Sequence, residues 1–359
     1  MKRVLKIAGV LLLAVLIAVL CYVGYVFGTY SRIEDNQALD VTHGSSGVQT
    51  AEPETDYKIL SWNIGFGAYE EDFGFFMDGG TESRAWSKER LEKNLDAIGE
   101  TAAAQNADLM LLQEVDFDSD RSYHVDEALK LRTFDGLDVS TDSVFHSAYL
   151  FYPITKPHGA SNSGLLTTSK LGIRSAVRRS LPVETGVTKL LDLDRCYSVS
   201  KIPVSNGKTL CLYNLHLSAY TSDGKIADEQ LELLLCDMQA EYEAGNYVIG
   251  GGDFNKDLLE DGSEAYFGVS TEDYTWAQPL RFDLLEKTDI RLIAPQGKDG
   301  AVPTARNADG PYHDGQLVLS VDGFLVSPNV KVTDSEVVST GFAYSDHNPI
   351  CMSVTLLAQ

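Results

Sequence analysis

The sequence lacks the cysteine spacing of a metal-binding or disulfide-rich protein. It has five cysteines in 359 residues, one of them inside a long apolar run. A structural zinc site needs close pairs such as Cys-x-x-Cys, and a disulfide scaffold carries more cysteine for its length. We therefore predict that Cys196, Cys211, Cys236 and Cys351, which stand far apart in apolar surroundings, are buried free thiols.

Repeats and low-complexity tracts are also absent, which excludes a solenoid and confines disorder to short segments. The glycines at 250–252 are not followed by Gly-Lys-Ser/Thr, so the phosphate-binding loop of nucleotide-binding proteins is missing. We interpret them as positions where the backbone passes close to other groups. The hydrophobic content of 44% is enough for one large globular domain.

Positive charge is scarce. The chain has 29 basic and 52 acidic residues and a formal charge of −23. Three of the basic residues precede residue 28, so the rest of the chain carries 26 basic and 52 acidic residues, a charge of −26. Such a surface repels polyanions at long range and gives no electrostatic reason for tight DNA binding. A bound divalent cation would invert that field locally, so nucleic-acid chemistry is not excluded.

One long apolar run stands near the N-terminus. Residues 7–27 contain no charge and would form a helix of about 31 Å, the thickness of the hydrocarbon layer of a bilayer. Lys2, Arg3 and Lys6 precede the run, and no acidic residue occurs before Glu34. This bias predicts a single-pass protein of the cell membrane, with residues 1–6 in the cytoplasm and the rest exported. A cleaved signal peptide and a buried core helix are the alternatives.

The segment that follows the apolar run has no sustained periodicity. Residues 28–55 include Ser45-Ser46-Gly47 and an acidic Glu-Pro-Glu stretch, and we predict a flexible linker there. One globular domain is then predicted to span residues 56–359.

Within that domain, apolar periodicity predicts an α/β fold. Residues 87–105 and 226–244 repeat apolar side chains at helical spacing, and the second helix is predicted to stop at Gly245-Asn246. Runs typical of strands occur at 58–64, 108–112, 165–168, 195–199, 210–216, 247–249, 321–326 and 349–356. Two packed, mostly antiparallel sheets flanked by helices would accommodate these elements.

Acidic, amide and imidazole side chains follow these runs at the ends of the predicted strands. They are Asn63, Glu114, His216, Asp253, Asn255, Asp322, Asp346 and His347. Carboxylate and amide oxygens suit Mg²⁺, with Mn²⁺ as the other candidate, and histidines bind phosphate oxygens or move protons. Any one of these residues alone is more typical of a helix cap or a turn. Eight of them at strand ends indicate an enzyme site on a rigid scaffold.

Six motifs occur in a fixed order along residues 56–357. They are Ser-Trp-Asn63, Gln-Glu114, Asn-x-His216-Leu, Gly-Asp253-Phe-Asn255, Val-Asp322-Gly-Phe and Ser-Asp346-His347-Asn-Pro. In order and context they resemble the endonuclease/exonuclease/phosphatase superfamily, which includes DNase I-like nucleases, neutral sphingomyelinases and inositol polyphosphate 5-phosphatases. The resemblance implies a four-layer α/β sandwich.

The same resemblance implies a role for each motif residue. Glu114 would be the main metal ligand, assisted by Asn63 and Asp346. The resemblance places His216 and His347 beside the phosphate, with Asp322 polarising His347. It makes Asp253 and Asn255 the residues that orient the attacking water and the phosphate or complete the metal shell, and it leaves open which of these Asp253 does.

Two further residues stand where relatives place substrate contacts. Arg195 precedes the His216 strand and would contact the phosphate, with a salt bridge at the strand edge as the alternative. Asn162 precedes a Ser-Gly-Leu-Leu strand and would contact substrate, with a turn residue as the alternative. The loop after Phe66, which holds several aromatic residues, and the segment 303–306 are each assigned either to substrate contact or to plain packing.

The sequence thus predicts a membrane-anchored, metal-dependent phosphoesterase that hydrolyses a phosphodiester by in-line attack of water. A nucleic acid and a phospholipid head group are both candidate substrates, because the shared motifs contact only the metal and the scissile phosphate. A phosphomonoesterase and a catalytically inactive anchored binding module are the alternatives. No protein partner can be inferred from the sequence.

Overall fold

The computed structural model describes residues 1–43, 49–135, 139–184, 194–219, 225–271, 274, 276 and 278–358. Ser45-Ser46-Gly47 of the predicted linker lie outside these residues. The helices are α1 (Lys2–Thr29), α2 (Lys88–Ala104), α3 (Glu127–Asp135), α4 (Lys225–Glu243), α5 (Ser263–Phe267) and α6 (Phe282–Leu285). The strands are β1 (Gln37–Leu39), β2 (Val41–His43), β3 (Asp56–Asn63), β4 (Leu109–Asp116), β5 (Val139–His146), β6 (Asn162–Ser169), β7 (Ser175–Ser180), β8 (Cys196–Pro203), β9 (Thr209–His216), β10 (Tyr247–Asp253), β11 (Arg291–Ile293), β12 (Ala305–Arg306), β13 (Val318–Leu319), β14 (Asp322–Val326), β15 (Val330–Val337) and β16 (Ile350–Leu356).

Two seven-stranded sheets form the centre of the domain. The first has the strand order β1-β7-β8-β9-β10-β14-β11 and the second has the order β15-β16-β3-β4-β6-β5-β2. Among their described strand pairs, β3–β4 and β9–β10 are parallel and the others are antiparallel. Strands β12 and β13 form a separate small hairpin.

The apolar side chains divide into three large layers of core. One cluster lies between the sheets and includes Ile59, Leu212 and Phe324. A second joins the outer face of one sheet to α2 and α3, and a third joins the outer face of the other sheet to α4 and α6. The predicted four-layer α/β sandwich is therefore confirmed.

Helix α2 illustrates why the helical prediction succeeded. Ser87 caps its first turn, with its Oγ accepting a hydrogen bond from the Arg90 amide at 3.2 Å. Leu91, Leu95 and Ile98 repeat at helical spacing and are buried against the sheet. Because the apolar stripe and the cap agree, the predicted range of 87–105 lies within one residue of the observed helix at each end.

Helix α1 is long and apolar enough to cross a membrane, by length and composition. It spans 28 residues, and none of them is buried against the domain. A buried core helix is therefore contradicted, whereas a signal sequence near the N-terminus passes the same test, so an anchor and a cleaved signal peptide both remain compatible with the helix.

The structure differs from the predicted flexible linker of residues 28–55. Strand β1 pairs with β7 at the edge of the first sheet, and β2 pairs with β5 at the edge of the second. Ala51 is fully buried and bridges to Val204. Strands of three residues are too short to show alternation, which is why the segment looked like a linker in sequence. The folded domain therefore begins well before residue 56.

Deleting residues 1–54 is expected to lower the melting temperature by roughly 4–8 °C relative to deleting residues 1–30, since about 2 kcal/mol of edge pairing and apolar burial would be lost. The longer deletion removes β1, β2 and Ala51, whereas the shorter one removes only α1 and Tyr30. Thermal unfolding followed by circular dichroism measures the difference. Equal melting temperatures would show that the segment adds no stability.

All five cysteines are free thiols, as expected. Cys196, Cys211 and Cys351 are buried, which confirms that part of the prediction. Cys236 is exposed, so its predicted burial was wrong. It lies on α4 next to the buried Leu235, and one residue along a helix is enough to turn a side chain from the core to the solvent.

Candidate functional site

The register of three neighbouring strands places three candidate residues side by side. Asp253 at the end of β10 stands opposite His216 of β9 and Asp322 of β14. Gly252 precedes it with φ 155°, and a Cβ there would lie 1.9 Å from the Leu215 carbonyl oxygen. Glycine is therefore required for β10 to lie this close to β9. This close approach places His216, Asp253 and Asp322 side by side across the ends of three neighbouring strands.

The second sheet contributes Asn63 and Glu114 from the ends of its parallel strands. Asn63 pairs with Gln113 in the register of β3 and β4. Glu114 adopts φ 53°, a left-handed conformation that is unfavourable for a non-glycine residue, at an irregularity of β4 between Leu112 and Val115. Such strain is typical of functional positions. The side chain is about a quarter exposed and lines a cavity together with other residues of the site.

Asn63 joins the two sheets. Its Nδ2 donates to Asp253 Oδ2 at 3.0 Å and to Glu114 Oε1 at 3.2 Å. Its Oδ1 accepts from the Gly65 amide at 3.0 Å, which leaves one lone pair on that oxygen. This amide therefore holds two carboxylates in a fixed relation across the gap between the sheets.

His347 and Asp322 form a buried pair. Nδ1 of His347 lies 2.8 Å from Asp322 Oδ2, and its Nε2 lies 3.7 Å from Asp253 Oδ2. The backbone of His347 is fixed by Trp62, whose Nε1 donates to the His347 carbonyl at 2.8 Å. Asp322 in turn accepts no bond at Oδ1, which is buried without a partner among the described residues. This pairing agrees with the role that the resemblance implied for Asp322.

His216 contacts the same carboxylate from the other side. Its Nε2 lies 3.0 Å from Arg195 Nη1, 3.4 Å from Asp253 Oδ2 and 4.0 Å from Glu114 Oε1. Because guanidinium can only donate, Nε2 accepts from Arg195, and the ring proton is then on Nδ1. Arg195 therefore lies at the centre of the cluster rather than at an outer strand edge.

The two histidines differ in charge, because their pKa values are shifted in opposite directions. Burial, together with the cationic Arg195 and His347, lowers the pKa of His216 well below its usual value. Burial also lowers the pKa of His347, but the carboxylates of Asp322 and Asp253 outweigh it and raise that pKa well above its usual value. The site therefore holds a neutral His216 and a cationic His347 near neutral pH.

The pKa values of two carboxyl groups of the site are raised. Burial raises the pKa of Asp346 to about 7; the cation of His347 opposes this rise, and the charge of Glu114 adds to it. Burial raises the pKa of Asp253 to about 6, against the lowering effect of His347, and Asp322 adds to the rise. Carboxyl groups that lose their protons close to neutral pH are suited to proton transfer or to cation binding.

Two groups of residues could hold a divalent cation. Ligand atoms of Asp253, Asp322 and His347 all lie within 4.8 Å of one another. The other group is the predicted one of Glu114, Asp346 and Asn63, which offers oxygen ligands of the kind that Mg²⁺ prefers. A cation in the first group would have to displace a proton from His347, which Asp322 and Asp253 hold in its cationic form. The charges therefore favour the second group, where a cation would relieve the repulsion between Glu114 and Asp346 that adds to the effect of burial on the Asp346 pKa.

The site lines a cavity of about 180 Å³. Seven of the ten predicted site residues are on its wall, namely Glu114, Arg195, His216, Asp253, Asn255, Asp346 and His347. Asn63 and Asp322 are almost fully buried and act on the wall through their hydrogen bonds. Asn255 is fixed by its Nδ2, which donates to the Leu217 carbonyl at 2.8 Å, and its φ is 50°.

Asn162 is not brought into the cavity wall. It is half-buried, and its amide donates to Ser119 Oγ at 2.8 Å. Its neighbour Ser161 lines the cavity instead. The predicted substrate contact at Asn162 therefore has no support in the geometry, because the start of β6 points its backbone toward Ser119.

Sequence reasoning missed three cationic or titratable residues of the wall, Arg121, His158 and Arg306. Arg121 forms a two-point ion pair with Asp116 at 2.9 and 3.0 Å. Arg306 donates to four backbone carbonyls, at distances from 3.0 to 3.3 Å. Burial lowers the pKa of His158 to about 4. Arg121 and His158 belong to connections without a strand-end pattern, and Arg306 belongs to the two-residue strand β12. Of the three, only Arg306 had a signal in the sequence, because the segment 303–306 was assigned either to substrate contact or to plain packing.

Most of the aromatic loop after Phe66 packs against the core of the domain. Phe66 and Phe73 are fully buried, and Phe75 is nearly so. Met77 is exposed and lines the cavity together with Phe75. Packing over the domain therefore accounts for most of this loop, and its end reaches the cavity.

The pKa values predict how stability depends on pH and metal. The pKa of Asp346 rises from 3.8 to about 7 on folding. Between these two pH values, the folded protein keeps a proton on Asp346 that the unfolded protein has lost. In chelator, the melting temperature is therefore expected to fall as the pH rises from about 4 to about 7. Excess Mg²⁺ should reduce the fall, since it binds the deprotonated carboxylates. Differential scanning calorimetry measures the melting temperature in chelator and in Mg²⁺. Asp346→Asn is the control, because its melting temperature should fall less as the pH rises. An equal fall in melting temperature in Asp346→Asn would contradict the role given to Asp346.

Comparison with known proteins gives one family and several solved structures. A model of the Endonuclease/Exonuclease/phosphatase family matches residues 60–347. No curated protein matches the sequence. The structure is similar to an endonuclease/exonuclease/phosphatase from Beutenbergia cavernae (TM-score 0.58, 17% identity, 84% of this chain and 72% of that chain). It is also similar to one from Bacteroides vulgatus (TM-score 0.53, 16% identity, 84% and 99%).

A third similar structure is ANGEL2, a 2′,3′-cyclic phosphatase solved in complex with adenosine-2′,3′-vanadate. Its TM-score is 0.53 at 13% identity, over 91% of this chain and 100% of that chain. At such identities the three likenesses establish the fold alone.

Proposed function

Because the chain belongs to the endonuclease/exonuclease/phosphatase family, whose members are generally hydrolases of phosphate esters, we propose that it is a divalent-metal-dependent phosphodiesterase. The observation that carries the proposal is the cluster on the cavity wall, in which a cationic His347 and Arg195 face Asp253 and Glu114. Cations beside acidic groups suit a reaction in which an anionic phosphate is attacked by water.

We assign the metal to Glu114, Asp346 and Asn63, with Mg²⁺ as the ion and Mn²⁺ as its substitute. When bound, a divalent cation neutralises charge on the phosphate oxygens as the reaction proceeds. Arg195 fixes the phosphate, and the neutral His216 holds that guanidinium in place by accepting from its Nη1 at 3.0 Å. Asn255, held by the Leu217 carbonyl, orients the phosphate from the end of β10.

Proton transfer falls to Asp253 and His347. Asp253, with a pKa of about 6, accepts a proton from the attacking water. The water oxygen bonds to phosphorus, one P–O ester bond breaks, and the departing alkoxide takes a proton from His347. The products are a phosphomonoester and an alcohol. Asp322 keeps His347 protonated and oriented through the 2.8 Å contact with Nδ1.

The charges of the cavity favour a diester over a monoester. Arg121 is paired with Asp116, and Arg306 is occupied by backbone carbonyls. The charge of Arg121 is therefore compensated by a carboxylate, and the terminal nitrogens of Arg306 are already used by carbonyls, whereas a monoester dianion needs more cationic donors than a diester monoanion. A phosphomonoesterase is the alternative within the same family.

We further propose that α1 is an uncleaved anchor that places the domain outside the cytoplasm of a cell membrane. Residues 7–27 of the helix carry no charge, and the basic residues Lys2, Arg3 and Lys6 lie in its first turns. The bias of positive charge supports a cytoplasmic N-terminus.

Hydrolysis of bis-p-nitrophenyl phosphate by the full chain in detergent tests the proposed reaction. We expect turnover with Mg²⁺ or Mn²⁺, none in chelator, and weaker turnover of p-nitrophenyl phosphate. The reverse preference would indicate a phosphomonoesterase. Absence of turnover on both substrates, in a protein that melts cooperatively, would overturn the proposed function and favour a binding module.

A further inference from the structure

The end of helix α1 lies at the mouth of the cavity. Tyr22 and Val26 of α1 are part of the cavity lining. The hydroxyl of Tyr22 donates to the Tyr149 carbonyl at 3.1 Å and accepts from the Phe151 amide at 3.2 Å. The rings of Tyr22 and Phe151 meet edge to face at 5.2 Å between centroids. The apolar helix therefore contacts the same loop that borders the catalytic pocket.

The chain allows little separation between this helix and the domain. Helix α1 ends at Thr29, and Arg32 is already bound, with its Nε 2.7 Å from Asp194 Oδ1. The amide of Ile33 donates to the other oxygen of Asp194 at 2.8 Å. Only Tyr30 and Ser31 lie between, and three peptide steps span at most about 11 Å. The domain is thus held directly against the end of the helix.

The position of Tyr22 sets the depth of the contact. Tyr22 follows Ile7 by 15 residues, about 22 Å along a helix, in a hydrocarbon layer of about 30 Å. Tyr25 and Tyr30 therefore fall near the far boundary of the hydrocarbon layer, where tyrosine is enriched, and Tyr22 lies roughly 8 Å inside it. The loop at residues 149–154, which we call the rim loop, touches Tyr22 and lies at the same depth.

The rim loop is apolar and exposed. Phe151 is 55% exposed, Tyr152 is 59% exposed and Ile154 is 87% exposed. No charged residue occurs in the rim loop, and the next charge is Lys156. Three adjacent large apolar side chains in water are unusual on a soluble surface and mark a contact site. The strongly acidic domain cannot be drawn to anionic lipid by charge, so its contact with a membrane must be apolar.

We propose that the rim loop inserts into the interfacial layer of the membrane that α1 spans, and that the catalytic pocket opens at the surface of that bilayer. The substrate is then a phosphodiester in the head group of a membrane lipid, and it reaches the pocket past Tyr149 and Leu150, which line both the mouth and the cavity. The proposal rests on the proposed hydrolase function and on α1 as the anchor. A soluble nucleic acid as substrate is the competing outcome of the test below.

The depth of the rim loop can be measured without any activity. The full chain, with Cys21→Ala and Cys236→Ser to remove its exposed thiols, is placed in nanodiscs of phosphatidylethanolamine and phosphatidylglycerol. A fluorophore is attached at Ile154→Cys or, as the control, at Leu129→Cys, an equally apolar and 60% exposed residue of α3. Nitroxide-labelled lipid is expected to quench the fluorophore at 154 and not at 129. Equal quenching at the two positions would overturn the proposal.

Turnover in the same nanodiscs tests the substrate. Loss of lipid phosphodiester is followed by ³¹P NMR beside hydrolysis of bis-p-nitrophenyl phosphate. The double variant Phe151→Asp/Ile154→Asp should lower lipid turnover by about tenfold or more, since two apolar anchors are lost. Hydrolysis of the soluble diester should change by less than about twofold, because neither residue lines the cavity.

The outcomes separate the two proposals. If the wild-type protein hydrolyses neither the lipid nor bis-p-nitrophenyl phosphate, the hydrolase function itself is refuted. Hydrolysis of the soluble diester with intact lipids, or lipid turnover that the double variant leaves unchanged, would refute the membrane contact while sparing the hydrolase. Cleavage of added single-stranded DNA while the lipids stay intact would overturn the proposal and make nucleic acid the substrate of the pocket.

Discussion

Glu114→Gln is expected to lower kcat/KM for bis-p-nitrophenyl phosphate by about 10³-fold, because a metal ligand supplies several kcal/mol of transition-state stabilisation. The substitution keeps the size of the side chain and its bond to Asn63 at Oε1. It removes the negative charge that faces the cavity and that contributes to the raised pKa of Asp346. The loss should therefore appear in activity and in metal binding together.

Glu100→Gln is the matched control, since Glu100 is exposed on α2. It should leave both activity and the metal-induced rise in melting temperature unchanged. In Glu114→Gln the rise should be strongly reduced, whereas the melting temperature in chelator should stay close to that of the wild type. Full activity in Glu114→Gln would remove this residue from the reaction and shift the metal to Asp253, Asp322 and His347.

His347→Asn is expected to reduce kcat by about 10²- to 10⁴-fold, the usual contribution of a positioned proton donor. The asparagine amide nitrogen takes the place of Nδ1 and can still donate to Asp322 across the 2.8 Å contact, so Asp322 is not left as an unpaired buried charge. It cannot hold a proton for the leaving group. The loss should therefore fall on kcat with little change in KM.

The leaving group provides an independent readout for His347. A diester whose leaving alcohol is acidic, such as p-nitrophenol, needs little protonation, so the loss should be larger for a diester of two alkyl alcohols, in which an alkoxide must leave. Asp322→Asn should reproduce part of the effect by lowering the pKa of His347. His124→Ala, at an exposed histidine, is the control and should behave as the wild type. Equal losses for good and poor leaving groups would make His347 a phosphate contact and not a proton donor.

The strand-end residues were predictable from sequence for a physical reason. A strand that is buried on both faces has few places for a polar side chain, so polar residues that directly follow apolar runs stand out. Asp253 and Asp322 follow such runs, and the register then places them side by side. The order of the motifs added the pairing of His347 with Asp322, which spacing along the chain alone could not provide.

Other parts of the site depend on contacts that leave no local pattern. Arg121 reaches the cavity from a loop because Asp116 and the ring of Phe66 hold it there. The left-handed backbone of Glu114 arises from an irregularity in one strand pair, which composition does not reveal. The edge strands β1 and β2 are three residues each, shorter than any window in which alternation can be recognised.

The contact between Trp62 and His347 joins residues that are 285 positions apart in the chain. His347 is fixed opposite Asp253 only when β16 has paired with β3, and that pairing uses Ile350 to Thr355. Asp346 of the proposed metal group and His347 are consecutive, so a chain still under synthesis gains both of them last. The site is therefore complete only after nearly the whole polypeptide has emerged, and an unfinished chain carries Asn63, Glu114, His216 and Asp253 without their partners from the C-terminal strands.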